Sequence, residues 1–179
     1  MMGEEDYTQD DCFVCWILTH GDSGCLYTSD GEQLIEDKFI SPFRKNKGLL
    51  GKPKLFFIQA CRGNIVDKGQ TVVIDISDSS SRICRIPTQA DLLVAYSTFP
   101  GYLSWLGTDN GSWFVQAFCY VLKNSTGSED LFALLTKASR FVAIKYEANT
   151  PDNAFTRGAK QMPYVTSTLT HCVRFPKMP

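Results

Sequence analysis

The sequence lacks any apolar run close to the roughly 20 residues a membrane-spanning helix needs, so no membrane partner is expected. Its start, Met1-Met2-Gly3-Glu4-Glu5-Asp6, is acidic and has no basic stretch of the kind that opens a secretory signal. A cytoplasmic location with free thiols is the expectation that follows. An excess of one charge is also lacking. Lys and Arg total 18 against 19 Asp and Glu, a net charge of -1, which offers nothing to a polyanion. The short basic run Arg44-Lys45-Asn46-Lys47 reads as a solvated loop, and no nucleic-acid partner is predicted.

Histidine is scarce, with two residues, His20 and His171. Metal spacing is scarce too. Cys12 and Cys15 form a Cys-x-x-Cys, but no second such pair follows. They lie in an apolar strand-like segment, where residues three apart point to opposite faces and cannot share a zinc ion. Together with Cys25, Cys84, Cys119 and Cys172 they are read as buried free thiols, which pack as small hydrophobes. No phosphate-binding glycine loop is present, and no cofactor or metal is predicted.

What is present suits one compact domain: 179 residues, 44% hydrophobic and 21% charged. Three nearly continuous apolar runs, Cys12 to Leu18, Lys54 to Gln59 and Asp91 to Ser97, predict parallel strands covered on both faces. Leu34 to Phe43 predicts a short helix stopped near Pro42. Ser112 to Lys123 predicts a helix capped by Ser112. The stripe Leu131, Leu134, Leu135, Ala138 and Val142 predicts another over Asp130 to Glu147, capped by Ser128. The Thr- and Val-rich run Tyr164 to Phe175 predicts a last strand. Strands alternating with helices predict an α/β sandwich. The polar, Ser-rich stretch Asp75 to Arg82 interrupts the pattern and reads as an exposed loop.

Open α/β sheets place their chemistry at the carboxyl ends of strands. Two reactive residues stand at such ends: His20 after the first strand and Cys61 after the second. A thiol at its reference pKa of about 8.5 is mostly protonated at neutral pH. A positioned imidazole can take that proton and later hand one to a leaving amine. The backbone amides of Gly21 and Cys61 are natural donors to the developing oxyanion, and Gly21 has no side chain to block close approach. His171, in the last predicted strand, is read as structural.

The pentapeptide Gln59-Ala60-Cys61-Arg62-Gly63 matches the caspase signature. The match extends to Phe13-Val14-Cys15 with Thr19-His20-Gly21, to Gly51-Lys52-Pro53-Lys54-Leu55-Phe56-Phe57-Ile58, to Ile86-Pro87 through Ala90-Asp91, to Ala95-Tyr96-Ser97-Thr98 with Pro100-Gly101-Tyr102, to Gly111-Ser112-Trp113-Phe114, and to Leu169-Thr170. Over about Asp11 to Phe175 the chain resembles the short-prodomain effector caspases, including those of insects. The resemblance implies the three-layer caspase-haemoglobinase sandwich, a mostly parallel sheet lacking the first strands, and cleavage of protein substrates after aspartate in programmed cell death. It implies Cys61 as nucleophile, His20 as base and Gly21 as oxyanion donor. Gln59 would line the specificity pocket, with Ser104, Trp105 and position 106 along the substrate groove. Residues 1-75 would form a large-subunit-like part, 76-82 an intersubunit linker and 83-179 a small-subunit-like part. Asp75 and Asp78 would be processing sites. Tyr164 to Phe175 would form the interface of a homodimer, or of a heterodimer with another caspase.

Two departures from the family pattern stand out. After Tyr102-Leu103-Ser104-Trp105 the family has Arg, whereas this chain has Leu106. Arginine gives a carboxylate bidentate, charge-assisted hydrogen bonds, and leucine has no donor to offer. The family also opens with a strand, a helix and another strand, which carry a second pocket arginine; these have no counterpart before Asp11. The expectations are a weakened hold on substrate aspartate and an exposed edge at Cys12 to Leu18. An alternative implied role is that of a catalytically weak decoy that binds and regulates an active caspase.

Overall fold

The computed structural model describes residues 5–67, 87, 89–107, 111–150 and 152–176. Asp75, Asp78, Cys84 and the expected linker 76–82 lie outside these residues.

The central sheet has four strands: β1 (Phe13–Leu18), β5 (Lys54–Gln59), β6 (Leu92–Tyr96) and β9 (Tyr164–Ser167), in the order β1-β5-β6-β9. The first three are parallel, with Phe13 opposite Lys54 and Lys54 opposite Leu92, and β9 runs antiparallel to β6. A three-stranded antiparallel unit follows β1: β2 (Gly21–Asp22), β3 (Cys25–Thr28) and β4 (Gly31–Leu34). Further elements are the short helix α1 (Ser41–Arg44), the two-residue pair β7 (Leu106–Gly107) and β8 (Gly111–Ser112), and the helices α2 (Trp113–Asn124) and α3 (Leu131–Lys145).

Alternate residues of β5 and β6 feed two cores, as a strand's two-residue period requires. Leu55, Phe57, Leu93 and Ala95 pack with Phe114, Phe118, Leu131, Leu135 and Val142 of α2 and α3. Phe56, Ile58 and Val94 pack on the other face with Ile35, Ile40, Phe43 and Leu49. The result is the expected three-layer α/β arrangement, with β5 buried at every position.

Several expectations are corrected. Strand β1 is covered on one face: Phe13, Cys15 and Ile17 meet the second core, while Val14, Trp16 and Leu18 are exposed at 42%, 38% and 60%. It is an edge strand among the described residues, with Trp16 stacked on Phe57 at 4.3 Å. The stretch predicted as one helix over Leu34 to Phe43 is a π-helical turn, Ile35–Ile40, running into α1. Pro42 stands in the first turn of α1, where its missing N–H costs nothing, rather than at the end. Ser112 caps α2 as predicted, accepting from the Val115 amide at 3.2 Å. The cap of α3 is Asp130 rather than Ser128: its Oδ2 accepts from the Phe132 amide at 2.9 Å. The last strand ends at Ser167 rather than continuing to Phe175. Beyond it Val173 turns inward, its carbonyl accepting from Leu131 N and its amide donating to Asp130 Oδ1. Cys119 and Cys172 are exposed rather than buried, whereas Cys25 is buried.

Candidate active site

Three consecutive parallel strands end at the same edge of the sheet, and their exits form the site. Strand β1 runs into Thr19-His20-Gly21, β5 into Ala60-Cys61-Arg62 and β6 into Ser97-Thr98. The first two exits are tied together: Thr19 N donates to Gln59 O at 3.0 Å. A Cβ added to Gly21 would stand 3.1 Å from the Cys61 carbonyl oxygen and 2.6 Å from that of Cys25. A side chain at position 21 is therefore excluded, and the backbone of the His20-Gly21 turn lies against that of Cys61. The His20 carbonyl accepts from Tyr27 N at 2.9 Å, which anchors the turn on β3 while the imidazole stays exposed.

Cys61 is half-buried. Its Sγ accepts from the Ser104 amide at 3.4 Å and lies 3.7 Å from the Ser104 carbonyl, to which the thiol donates. The segment carrying Ser104 is sewn to the nucleophile loop by backbone bonds. Arg62 N donates to Tyr102 O, Gly101 N to Arg62 O, Ile65 N to Gly101 O and Leu103 N to Ile65 O. The Arg62 side chain packs on tyrosines of β6 and β9. Its guanidinium sits 3.8 Å from the Tyr96 ring centroid, a cation–π contact, and 5.4 Å from that of Tyr164. Burial pulls the guanidinium below its ordinary pKa, partly offset by the two tyrosines.

A relay of neutral groups underlies the site. Ser112 Oγ donates to Gln59 Oε1, and Gln59 Nε2 donates to Ser104 Oγ at 2.9 Å. Ser104 Oγ donates to Ser97 Oγ at 2.8 Å, and Ser97 Oγ donates to the carbonyl of Ala60 at 3.2 Å. Each hydroxyl both accepts and donates, so successive bonds polarise one another in a buried setting. Gln59, Ser104 and Cys61 are thus brought together. Trp105 joins them through the backbone, with its ring stacked on Trp113 at 5.7 Å, and Trp113 stacks in turn on Tyr146 at 5.3 Å.

Leu106 adjoins this cluster along the backbone, through Trp105 and Ser112, while its side chain faces solvent. It lies in β7 opposite Ser112 and is 68% exposed. The processing residues Asp75 and Asp78 lie outside the described residues. The proposed interface run reduces to β9, a sheet edge with Tyr164 and Val165 half-buried and Thr166 and Ser167 exposed.

Sequence reasoning did not single out Gln161 or the part played by Ser97. Gln161 is 2% exposed and bonded to both Ser97 and Trp105. Ser97 is fully buried. Neither carries a local signal, because each acts through partners far along the chain. Among the described residues no group of three or more His, Cys, Asp or Glu is placed to hold a metal ion.

Comparison with known proteins bears on the family and the fold. The family described as Caspase domain matches residues 1–174. Caspase-1 of Spodoptera frugiperda is 44% identical over 177 residues, covering 97% of this chain and 59% of that protein. Caspase-3 of Bos taurus is 42% identical over 172 residues, covering 94% and 61%. The crystal structure of Caspase-1 from Spodoptera frugiperda superposes with a TM-score of 0.86 at 42% identity, covering 98% of this chain and 67% of that one. The chain spans about three fifths of the length of the curated relatives it matches.

Proposed function

The chain belongs to the caspase family, and from that premise we propose that it is a cysteine endopeptidase of caspase type, acting on protein substrates in programmed cell death with a weakened hold on substrate aspartate. The observation that carries the reading is the backbone contact between the His20-Gly21 turn and Cys61.

In the proposed reaction His20 takes the proton from the Cys61 thiol, and Sγ attacks the scissile carbonyl carbon. The carbonyl electron pair moves onto oxygen, which receives the backbone N–H groups of Gly21 and Cys61; each such donor is worth about 3 kcal/mol in the transition state. The tetrahedral intermediate collapses, the C–N bond breaks, and His20 returns its proton to the leaving amine. Water, deprotonated by His20, then attacks the thioester and releases the acid and the free thiol.

Recognition of aspartate is weaker than attack. Leu106 stands in β7 with its side chain in solvent and carries no hydrogen-bond donor. A substrate carboxylate there lacks a charge-assisted hydrogen bond worth about 1.5–3 kcal/mol, or roughly 10–10² in rate for aspartyl substrates.

The same reading divides the chain into residues 1-75, a linker over 76-82 and residues 83-179, with maturation cuts after Asp75 or Asp78. It places the protein in the cytoplasm, and no described helix is long and apolar enough to cross a membrane. It gives β9 as the interface for a second copy or for another caspase, since a free strand edge can pair with a partner strand. That edge, with Leu106, also favours a second reading: a weak enzyme that regulates an active caspase by docking on it.

Turnover of a fluorogenic tetrapeptide ending in aspartate, with Cys61→Ala as control, separates the two. Turnover abolished by Cys61→Ala is expected of the enzyme. No turnover, together with altered activity of an added effector caspase, would replace it with the regulator.

A further inference from the structure

The segment that crosses Cys61 is held from beneath by one buried amide. Gln161 Nε2 donates to the Ser97 carbonyl at 2.7 Å, and Gln161 Oε1 accepts from the Trp105 amide at 2.6 Å. The side chain is 2% exposed. A neutral carboxamide presents a donor and an acceptor at once, as bridging a carbonyl to an N–H requires. The two atoms it joins lie at the two ends of the loop that runs from β6 to β7 past the nucleophile. Ser97 follows β6, and Trp105 precedes Leu106.

The backbone bearing Gln161 is itself fixed. Lys160 N donates to Asp67 O at 2.9 Å, and Lys160 Nζ donates to Tyr146 O at 2.6 Å. Trp105 is held a second time, since its carbonyl accepts from Trp113 N at 3.4 Å. Its neighbour Ser104 therefore has little freedom, and Ser104 N–H is the group that reaches Cys61 Sγ. Ser97, at the other end of the strap, supports the Ala60 carbonyl through its hydroxyl.

We propose that Gln161 is a positioning residue: it straps Ser97 to Trp105 and so fixes the Ser104-Trp105 backbone at its distance from Cys61. As a statement about the reaction this rests on the endopeptidase reading, but as a statement about the loop it does not. Gln161 lies three residues before the start of β9, so whatever pairs with that strand acts next to the strap.

The test uses the full chain with Gln161→Met, which keeps the side-chain length and removes both hydrogen bonds, and Gln161→Glu. Three quantities are read: residue-resolved amide exchange, alkylation of Cys61 by iodoacetamide, and steady-state hydrolysis of an aspartyl peptide. In Gln161→Met the Trp105 amide exchanges about tenfold faster or more, while Leu93 to Tyr96 of β6 keep their protection. Cys61 alkylation rises, because Ser104 N–H no longer covers Sγ. KM for the peptide rises more than kcat falls.

Gln161→Glu adds a readout that bulk packing does not move. Its protonated carboxyl reproduces donor and acceptor, whereas the carboxylate has no donor for the Ser97 carbonyl and pays for burial. Protection of the Trp105 amide is therefore wild-type-like below the carboxyl's raised pKa and lost as the pH climbs through it. The proposal is overturned if Gln161→Met leaves Trp105 exchange within twofold of wild type. It is equally overturned if Trp105 and β6 amides lose protection together in both variants with no pH dependence in Gln161→Glu. Absence of peptide hydrolysis in the wild type would remove the endopeptidase reading, while exchange and alkylation would still decide whether the strap exists.

Discussion

Gly63 and Gly101 meet backbone to backbone. A Cβ added to Gly63 would fall 2.6 Å from the Gly101 carbonyl carbon and 2.7 Å from its Cα, and Gly63 has φ 143°. This contact brings the segment bearing Ser104 down onto the nucleophile loop, together with the bonds from Ile65 N to Gly101 O and from Gly101 N to Arg62 O. The glycine that ends the Gln59 to Gly63 pentapeptide is thus explained by packing, without recourse to chemistry. Gly63→Ala combines a backbone clash with a disfavoured φ and is expected to cost about 2–4 kcal/mol. Thermal unfolding checks it; an unchanged melting temperature would mean the two loops are not in contact.

Asp130 does two jobs with its two oxygens. Oδ2 caps α3 through Phe132 N, and Oδ1 holds Val173 N at 3.0 Å. Asp130→Ala removes both bonds and is expected to cost about 1–2 kcal/mol, seen as a melting temperature lower by several degrees. Asp130→Asn keeps an acceptor and should lose less. Equal losses in the two variants would show that hydrogen bonding at this position is not what matters.

The linker reading is tested by cutting. Val72-Val73-Ile74-Asp75 and Asp75-Ile76-Ser77-Asp78 both end in aspartate. Incubation with an active effector caspase is expected to split the chain after Asp75 or Asp78, and intact-mass spectrometry locates the cut. Replacing both aspartates by alanine should abolish it. An uncut chain would remove the intersubunit linker from the account.

What was legible in the sequence follows from the range of the interactions. Strand β5 was legible because its interior, Leu55 to Ile58, is an unbroken apolar run between the buried ends Lys54 and Gln59. The positions of His20 and Cys61 at the exits of β1 and β5 were legible because strand ends are marked locally and the pentapeptide around Cys61 is distinctive. The cap of α3 falls on Asp130 rather than Ser128, since both are good cap residues two positions apart and the bond that Val173 N donates to Asp130 Oδ1 favours the aspartate. The last strand was overextended to Phe175 because Val173 is apolar for another reason: it packs in the core shared by α2 and α3. Residue type alone predicts Cys119 and Cys172 buried, yet both are exposed. Gln161 was invisible because its partners, Ser97 and Trp105, lie 64 and 56 positions away in the chain.

In the proposed function His20 and Cys61 attack the peptide bond, and Leu106 stands where a cation would grip the substrate aspartate. The most direct measurement is kcat/KM for a fluorogenic tetrapeptide ending in aspartate, compared among the wild type, Leu106→Arg and Leu106→Arg combined with Cys61→Ala. The gain expected for Leu106→Arg is roughly 10–10² over the wild type, the factor that a charge-assisted hydrogen bond of about 1.5–3 kcal/mol supplies, and it is lost completely when Cys61 is also replaced. No gain from Leu106→Arg, or turnover that survives Cys61→Ala, would contradict this reading.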